Sequence, residues 1–524
     1  MRLINTTTLE LEEFPFDDKP SYAILSHTWS DSEVSYLDML SEGRESRAGW
    51  SKIVQTCELA LCEYDLQYAW VDTCCIDKSS SAELTEAINS MFAWYRNARV
   101  CFAYLADLEP DVEFVDSLAS ARWWTRGWTL QELIAPTELL FYDRDWTLRG
   151  SRSTLVRHIS LRTGISMNIL LRKEKLDDTS VATRMSWAAG RSVSRTEDKA
   201  YCLLGIFGIN MPMIYGEGAS SFRRLQEEIV KQTNDFTIFA HTNSHLFASS
   251  PDDFSSSGQA GRSAGTLLDF SITNQGLRVA GDIFLHFGEF TTDLSSKAEV
   301  KGYAVELGYN LDDEREAITM GLHKLGPGMF ARSARFPVCG LGSCTFHSTL
   351  RFRAADFYIL HKRDSYSLAM FNSYRKWAIH VRLPQGVALH KAEPRRLWDA
   401  TESIFLRLRP QTDPFMTMVI AVWLRIDNKF EVLILCDHRH LHPRCKLLEL
   451  RGQMEIPTTL FLSHEPEKYV YWVEFEDKYA KILSRLTSEL VITRDSRSYV
   501  LAATVQQDEV HRLWHLSLDV HRHP

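Results

Sequence analysis

The sequence predicts an α/β domain over residues 1–150, with a parallel sheet flanked by helices. A helical extension (151–245), a linker (246–265) and a β-rich domain (266–524), expected as a sandwich, follow it. Three observations lead there. Short apolar runs alternate with amphipathic stretches at the start of the chain, the pattern of a parallel sheet covered on both faces. Residues 151–240 carry helical periodicity with few strand signals. Beyond a stretch rich in Ser, Gly and Asp, β-branched and aromatic runs separated by turn residues take over.

The elements read in order. Tyr22–Ser26, Tyr68–Asp72, Val100–Leu105 and Leu139–Tyr142 are strands. Trp50–Tyr64 repeats apolar residues at helical spacing. Ser80 and Glu83 have the spacing of a capping box, and the helix after them carries Leu84, Ile88, Met91, Phe92 and Tyr95 on one face. Leu118–Trp124 and Thr129–Ile134 read as helices, as do Ser153–Thr163, Val181–Ala189, Glu197–Phe207 and Ser220–Thr233. Expected strands of the last domain are Leu277–Phe287, Gly302–Leu307, Trp377–Leu383, Phe415–Ile426, Phe430–Leu435, Tyr469–Phe475 and Tyr499–Val505. A parallel sheet binds ligands outside the carboxyl ends of its strands. Ser26, His27, Asp72 and Asp107 stand there.

Composition excludes several classes. The 524 residues carry a net charge of −9, the wrong sign for a protein that neutralises nucleic-acid phosphates. No apolar run approaches the ~20 residues of a membrane span; Met416–Leu424 is followed at once by Arg425. The N-terminus lacks the apolar region of a secretory signal, so a cytoplasmic protein is expected. Its ten cysteines are then expected as free thiols. There is no G-x-x-x-x-G-K-[ST] phosphate loop.

Three blocks carry a family resemblance: SYAILSHTWSD (Ser21–Asp31), the run from Tyr68 to Leu108 that begins YAWVDTCCIDK, and RWWTRGWTLQELIAP (Arg122–Pro136). In order and spacing they resemble the heterokaryon-incompatibility (HET) domain of fungal incompatibility proteins. Arg184–Ile229 resembles the helical segment that commonly follows that domain. Ser30 stands where the family usually has Gly. The resemblance implies a role in vegetative incompatibility and programmed cell death, with protein partners or self-association.

HET domains in turn look like remote relatives of Toll/interleukin-1-receptor (TIR) domains. Ser21–Asp31 is similar to the first TIR strand and its loop. Trp128 to Leu133 keeps the W-x-x-x-E-L spacing of the TIR helix that bears a catalytic glutamate. That likeness implies a TIR/flavodoxin-like sheet, with Glu132 as the catalytic carboxylate of an NAD glycohydrolase. Ser26, His27, Trp29, Asp72 and Trp128 would border the site, with NAD as substrate and no tightly bound cofactor. A carboxylate beside the ribose stabilises the oxocarbenium character that develops as an N-glycosidic bond breaks.

Plainer readings stand beside these. Glu132 alone is a surface or cap residue, the tryptophans are core aromatics, and Asp72 bonds backbone amides. Cys74 and Cys75 with His27 and Asp72 suggest a thiol nucleophile, but no neighbouring sequence carries a nucleophile signature. Cys339, Cys344, His347, Cys436, His438, His440, His442 and Cys445 suit zinc by type and not by spacing, and no metal is assigned. The functional alternative is a non-enzymatic, self-assembling adaptor regulated by the β-rich domain.

Overall fold

The computed structural model describes the chain except residues 16–17, 111, 114–119, 263–268, 281–282, 292–299, 314–315, 342–343, 355–356, 362–373, 376–377, 394, 407–418, 428–429, 438–443, 451–488, 495–496, 509–512 and 524. The expected strand Tyr469–Phe475 and the three histidines His438, His440 and His442 lie outside the described residues. Two compact units form. One is Met1–Ile272 with Glu306–Met320 and Ala334–Phe346; the other is Thr273–Val305 with Gly321–Ser333 and His347–Pro524.

The first unit is built on a seven-stranded sheet. Its strands are β1 (Arg2–Asn5), β2 (Leu11–Glu13), β3 (Ala23–His27), β4 (Tyr68–Trp70), β5 (Val100–Tyr104), β6 (Leu139–Tyr142) and β7 (Leu148–Ser151), in the order β2-β1-β4-β3-β5-β6-β7. The four middle strands are parallel, with Ala23 opposite both Ala69 and Val100, and Cys101 opposite Leu139. The edges correct the expectation of a purely parallel sheet, because β1, β2 and β7 join antiparallel. Leu3 and Ile4 of β1 are fully buried, and that burial fixes a four-residue strand too short to read from the sequence.

The parallel strands run second, first, third, fourth in chain order. The chain therefore leaves β3 towards one side of the sheet and leaves β5 towards the other. The gap beyond the carboxyl ends of β3 and β5 is a topological switch point, where such sheets bind ligands.

Helices α1 (Tyr36–Met39), α2 (Trp50–Tyr64), α3 (Ser81–Asn97) and α4 (Thr129–Ile134) connect the strands. In α2, Ile53, Thr56, Cys57 and Ala60 turn inward at spacings of three and four. In α3, Ile88, Met91, Trp94 and Tyr95 do the same. Only half of the capping box at α3 forms. Ser80 accepts from the Glu83 amide, but the Glu83 carboxylate turns to the Asp77 amide (2.8 Å) and to Arg2. All six residues of α4 are buried. Ahead of it, the expected Leu118–Trp124 helix begins outside the described residues, and Arg122–Thr125 is one 3-10 turn.

The later helices belong to this same unit. Val181–Ser186 and Ser220–Gln232 form where expected, whereas Glu197–Phe207 divides into Asp198–Tyr201 and Leu204–Phe207. Gly205 lets the second piece lie against α3, since a Cβ there would fall 2.0 Å from Phe92 Cβ. Residues 246–261, expected within a linker, are instead part of the packing. Pro251–Phe254 is a 3-10 turn capped by Ser250, Leu246 and Phe254 are buried, and Thr183 donates to the Ala260 carbonyl (3.1 Å). Ala260–Gly261 pairs with Asn310 and Tyr309. Ser and Asp read as loop residues, yet here they cap turns.

In the second unit, strand Ile379–Arg382 joins Ile404–Phe405 on one side and Leu513–His523 on the other within a six-stranded sheet. Val387–Glu393, Val419–Ile426, Phe430–Asp437 and Arg444–Leu450 form a four-stranded sheet. Both contribute to one apolar cluster that includes Ile379, Phe405, Val422, Ile434, Leu501 and Leu516. The expected Leu277–Phe287 strand is two strands, Gly276–Ala280 and Ile283–Thr291. One cysteine pair departs from the expected free thiols. In the Ala334–Phe346 segment of the first unit, Cys339 and Cys344 form a disulfide with their Cα atoms 4.9 Å apart, and Gly340 beside Cys339 has φ +88°.

Candidate functional site

Ser26 is the fourth residue of β3, wholly buried, and its hydroxyl donates to Glu132 of α4. The same oxygen accepts from the indole of Trp123 (2.7 Å). Two buried groups thus fix the hydroxyl so that its proton points at the carboxyl. Tyr95 of α3 lies within hydrogen-bonding reach of Glu132 and donates its own proton to the Leu25 carbonyl (3.0 Å).

Glu132 is 8% exposed. Burial raises its pKa from 4.5 to about 8; the Ser26 hydrogen bond and Arg126 oppose the shift, and the Asp72 charge adds to it. At neutral pH Glu132 therefore keeps its proton in the unliganded site.

Its helix is held at both ends by arginines. The buried Arg152 donates to the carbonyls of Leu133 (2.7 Å), Ile134 (3.2 Å), Pro136 (2.8 Å) and Thr137 (3.2 Å), capping the last turn of α4. Arg191 donates to the Arg126 carbonyl (3.0 Å) and the Thr129 hydroxyl (3.3 Å) ahead of the first turn.

A second group lies beside the first. His27 ends β3, and its Nε2 is 3.0 Å from Asp72, which follows β4. Lys52 Nζ, a donor only, lies 3.4 Å from Nδ1 and also pairs with Glu33. Because a carboxylate only accepts, Nε2 carries the hydrogen shared with Asp72. The other Asp72 oxygen accepts from the Trp29 indole (2.9 Å). Burial pushes the Asp72 pKa upward. The His27 hydrogen bond and charge, Lys78 and the Trp29 hydrogen bond overcome it and hold the pKa at about 2.

These groups border a cavity of about 210 Å³. Of the six residues singled out from the sequence, His27, Trp29, Asp72, Trp128 and Glu132 line it, and Ser26 stands behind Glu132. Sequence reasoning missed Lys78, Tyr95, Arg126, Arg195, Asp198 and Tyr215, which line it too. The last three come from Arg184–Ile229, read only as helices packed after the domain. The Asp198 carboxylate accepts from Tyr215 (3.0 Å) and Trp128, and burial raises its pKa. Ser30 makes the turn before Glu33 without a positive φ, bonding Glu33 through its amide (2.7 Å) and hydroxyl (2.9 Å).

Two other candidates fall away from the cavity. Asp107 accepts from the Arg122 amide (2.8 Å). Cys74 and Cys75 are buried, and their mutual hydrogen bond together with burial raises the Cys74 pKa far above that of a reactive thiol. Among the described residues no group of His, Cys, Asp and Glu is arranged to hold a metal ion, and no helix is long and apolar enough to cross a membrane.

Comparison with known proteins adds three findings. Residues 22–118 match the family described as heterokaryon incompatibility protein (HET). The chain is 45% identical over 230 residues to the vegetative incompatibility protein HET-E-1 of Podospora anserina, a match covering 42% of this chain and 17% of that relative's length. A crystal structure of wild-type Xerocomus chrysenteron lectin overlays 28% of this chain and 96% of its own at 7% identity; its TM-score of 0.17 carries no argument about fold.

Proposed function

The chain carries a heterokaryon incompatibility domain, and from that premise we propose that it signals vegetative incompatibility and cell death by cleaving NAD at the nicotinamide–ribose bond, with Glu132 as the catalytic carboxylate. The observation that carries this reading is Glu132 itself: a proton-holding acid facing a cavity bordered by residues at the carboxyl ends of β3 and β4. The second-first-third-fourth strand order agrees with TIR- and flavodoxin-like sheets.

The chemistry follows from the environment of the acid. The nicotinamide ring of NAD is cationic. Its arrival beside a carboxyl with a pKa of about 8 favours the carboxylate, and the proton leaves to solvent. The C1′–N1 bond then breaks, and its electron pair neutralises the ring nitrogen. The Glu132 carboxylate stabilises the cationic ribose. Water adds at C1′, its proton passes to Glu132, and ADP-ribose and nicotinamide leave. Trp128, bonded to Asp198, offers a flat surface for the ring. Ser26 and Tyr95 orient the carboxyl.

The test compares nicotinamide release from NAD by the purified full chain and by Glu132→Gln, and NAD levels in cells expressing each. Release by the parent and its loss in the variant is the expected result. Equal NAD in both, with toxicity intact, would remove the enzymatic reading and leave a self-assembling adaptor.

A further inference from the structure

Three cations border the cavity, and all are held in an unusual way. Lys78 Nζ sits 3.7 Å over the ring of Trp29, and Arg126 approaches the same ring at 5.8 Å. Arg195 lies 4.4 Å over Tyr215. Among the described residues none of the three is in an ion pair with a carboxylate. The acids beside them are occupied by other donors: Asp72 takes N–H groups from His27 and Trp29, and Asp198 takes Tyr215 and Trp128. Aromatic faces hold a cation in place without consuming its N–H donors. Three sets of donors therefore remain for an anion.

Position favours the rim. Lys78 and Arg195 are exposed, Arg126 is partly so, and Trp29 is 41% exposed, whereas Glu132 lies deep. The cavity, at about 210 Å³, is smaller than the ~300–1,000 Å³ of pockets that bury a whole ligand. It suits one end of an extended ligand, with the remainder passing the rim.

We propose that Lys78, Arg126 and Arg195 form an anion subsite that takes the diphosphate of a dinucleotide. This assignment rests on the reading of Glu132 as the group that acts on the ribose. Trp29 is the platform that presents Lys78 and Arg126, anchored through its indole N–H on Asp72. Guanidinium groups recognise phosphate oxygens in pairs, and lysine adds a point charge.

The experiment is calorimetric titration of the full chain carrying Glu132→Gln, so that no turnover interferes. The probes are ADP-ribose, inorganic pyrophosphate and phosphate-free adenosine. ADP-ribose and pyrophosphate affinity should fall tenfold or more in Lys78→Ala and in Arg126→Ala, and should weaken with added salt. Any binding of adenosine should not change. Arg126→Lys, which keeps the charge and loses the paired donors, should fall between the parent and Arg126→Ala, and unchanged melting temperatures show that the variants fold. ADP-ribose binding within twofold of the parent in both alanine variants, or no binding of either anion by the parent, overturns the subsite. The two readings separate cleanly. Charge-dependent binding without nicotinamide release removes cleavage and keeps the subsite. Nicotinamide release with an unaltered KM in Lys78→Ala and Arg126→Ala removes the subsite and keeps cleavage.

Discussion

Replacing Glu132 by Gln should remove a loss of stability that the parent suffers as pH rises, so that the variant gains on the parent at alkaline pH relative to acid. The folded chain holds the Glu132 proton up to a pKa of about 8, whereas an unfolded glutamate releases it near 4.5. Between those values the folded state binds the proton and the unfolded state does not, so stability falls as pH rises through that window. It is level below about 4.5 and level again above about 8. At about 1.4 kcal/mol for each tenfold change in proton affinity, the loss is on the order of 5 kcal/mol. For a unit of this size ~1 kcal/mol moves the melting temperature by about 2–4 °C, so the effect reaches roughly 10 °C or more. The assay is thermal unfolding of the full chain and of Glu132→Gln at closely spaced pH values from 4 to 9. The difference between the two removes every group that titrates alike in both. Gln brings a constant offset from exchanging an acid for an amide, so only the pH-dependent part counts. An offset that does not change between pH 4.5 and 8 would refute the argument that burial holds the proton on this carboxyl.

Three further outcomes follow from the geometry. Arg152→Met should destabilise the protein by about 3–5 kcal/mol, because it leaves the carbonyls at the end of α4 without their buried donor; a denaturant midpoint close to that of the parent would contradict the capping role. Asp72 has a pKa depressed to about 2, so its contribution of about 2 kcal/mol is present above pH 3.8 and lost as pH falls through 2. Asp72→Asn should cost about that much at pH 7 and nothing at pH 1.5, measured by urea unfolding. Cys62 is the exposed free cysteine, while Cys57, Cys74, Cys75 and Cys101 are buried; alkylation followed by peptide mapping should find Cys62 modified first.

Much of the first unit was legible because its signals are local. Leu139–Tyr142 and Thr129–Ile134 have the bounds that their apolar patterns give. The residues around Glu132 were found because strand ends and a short motif mark them. Lys78, Arg195 and Tyr215 were not, since their place beside the cavity comes from how the folded chain packs and nothing in their own neighbourhoods announces it. The run around Pro251–Phe254 misled for a related reason. Composition reports what a segment prefers when alone, and Phe254 with the bond from Thr183 to Ala260 overrides that preference. The Cys339–Cys344 bond was missed because reading the whole chain as a reducing-compartment protein left no place for two thiols five residues apart to pair.

The pairing of Ala260–Gly261 with Asn310 and Tyr309 has a practical corollary for anyone trimming the gene. A fragment stopped at residue 245 discards Phe254 and exposes the apolar surface it had covered. One stopped at 272 still lacks Glu306–Met320, which the chain sends back to complete the first unit. Because the polypeptide departs and returns, no single cut yields that unit whole. A short version that proves inert in a cell has lost its scaffold, and its silence says nothing about Glu132.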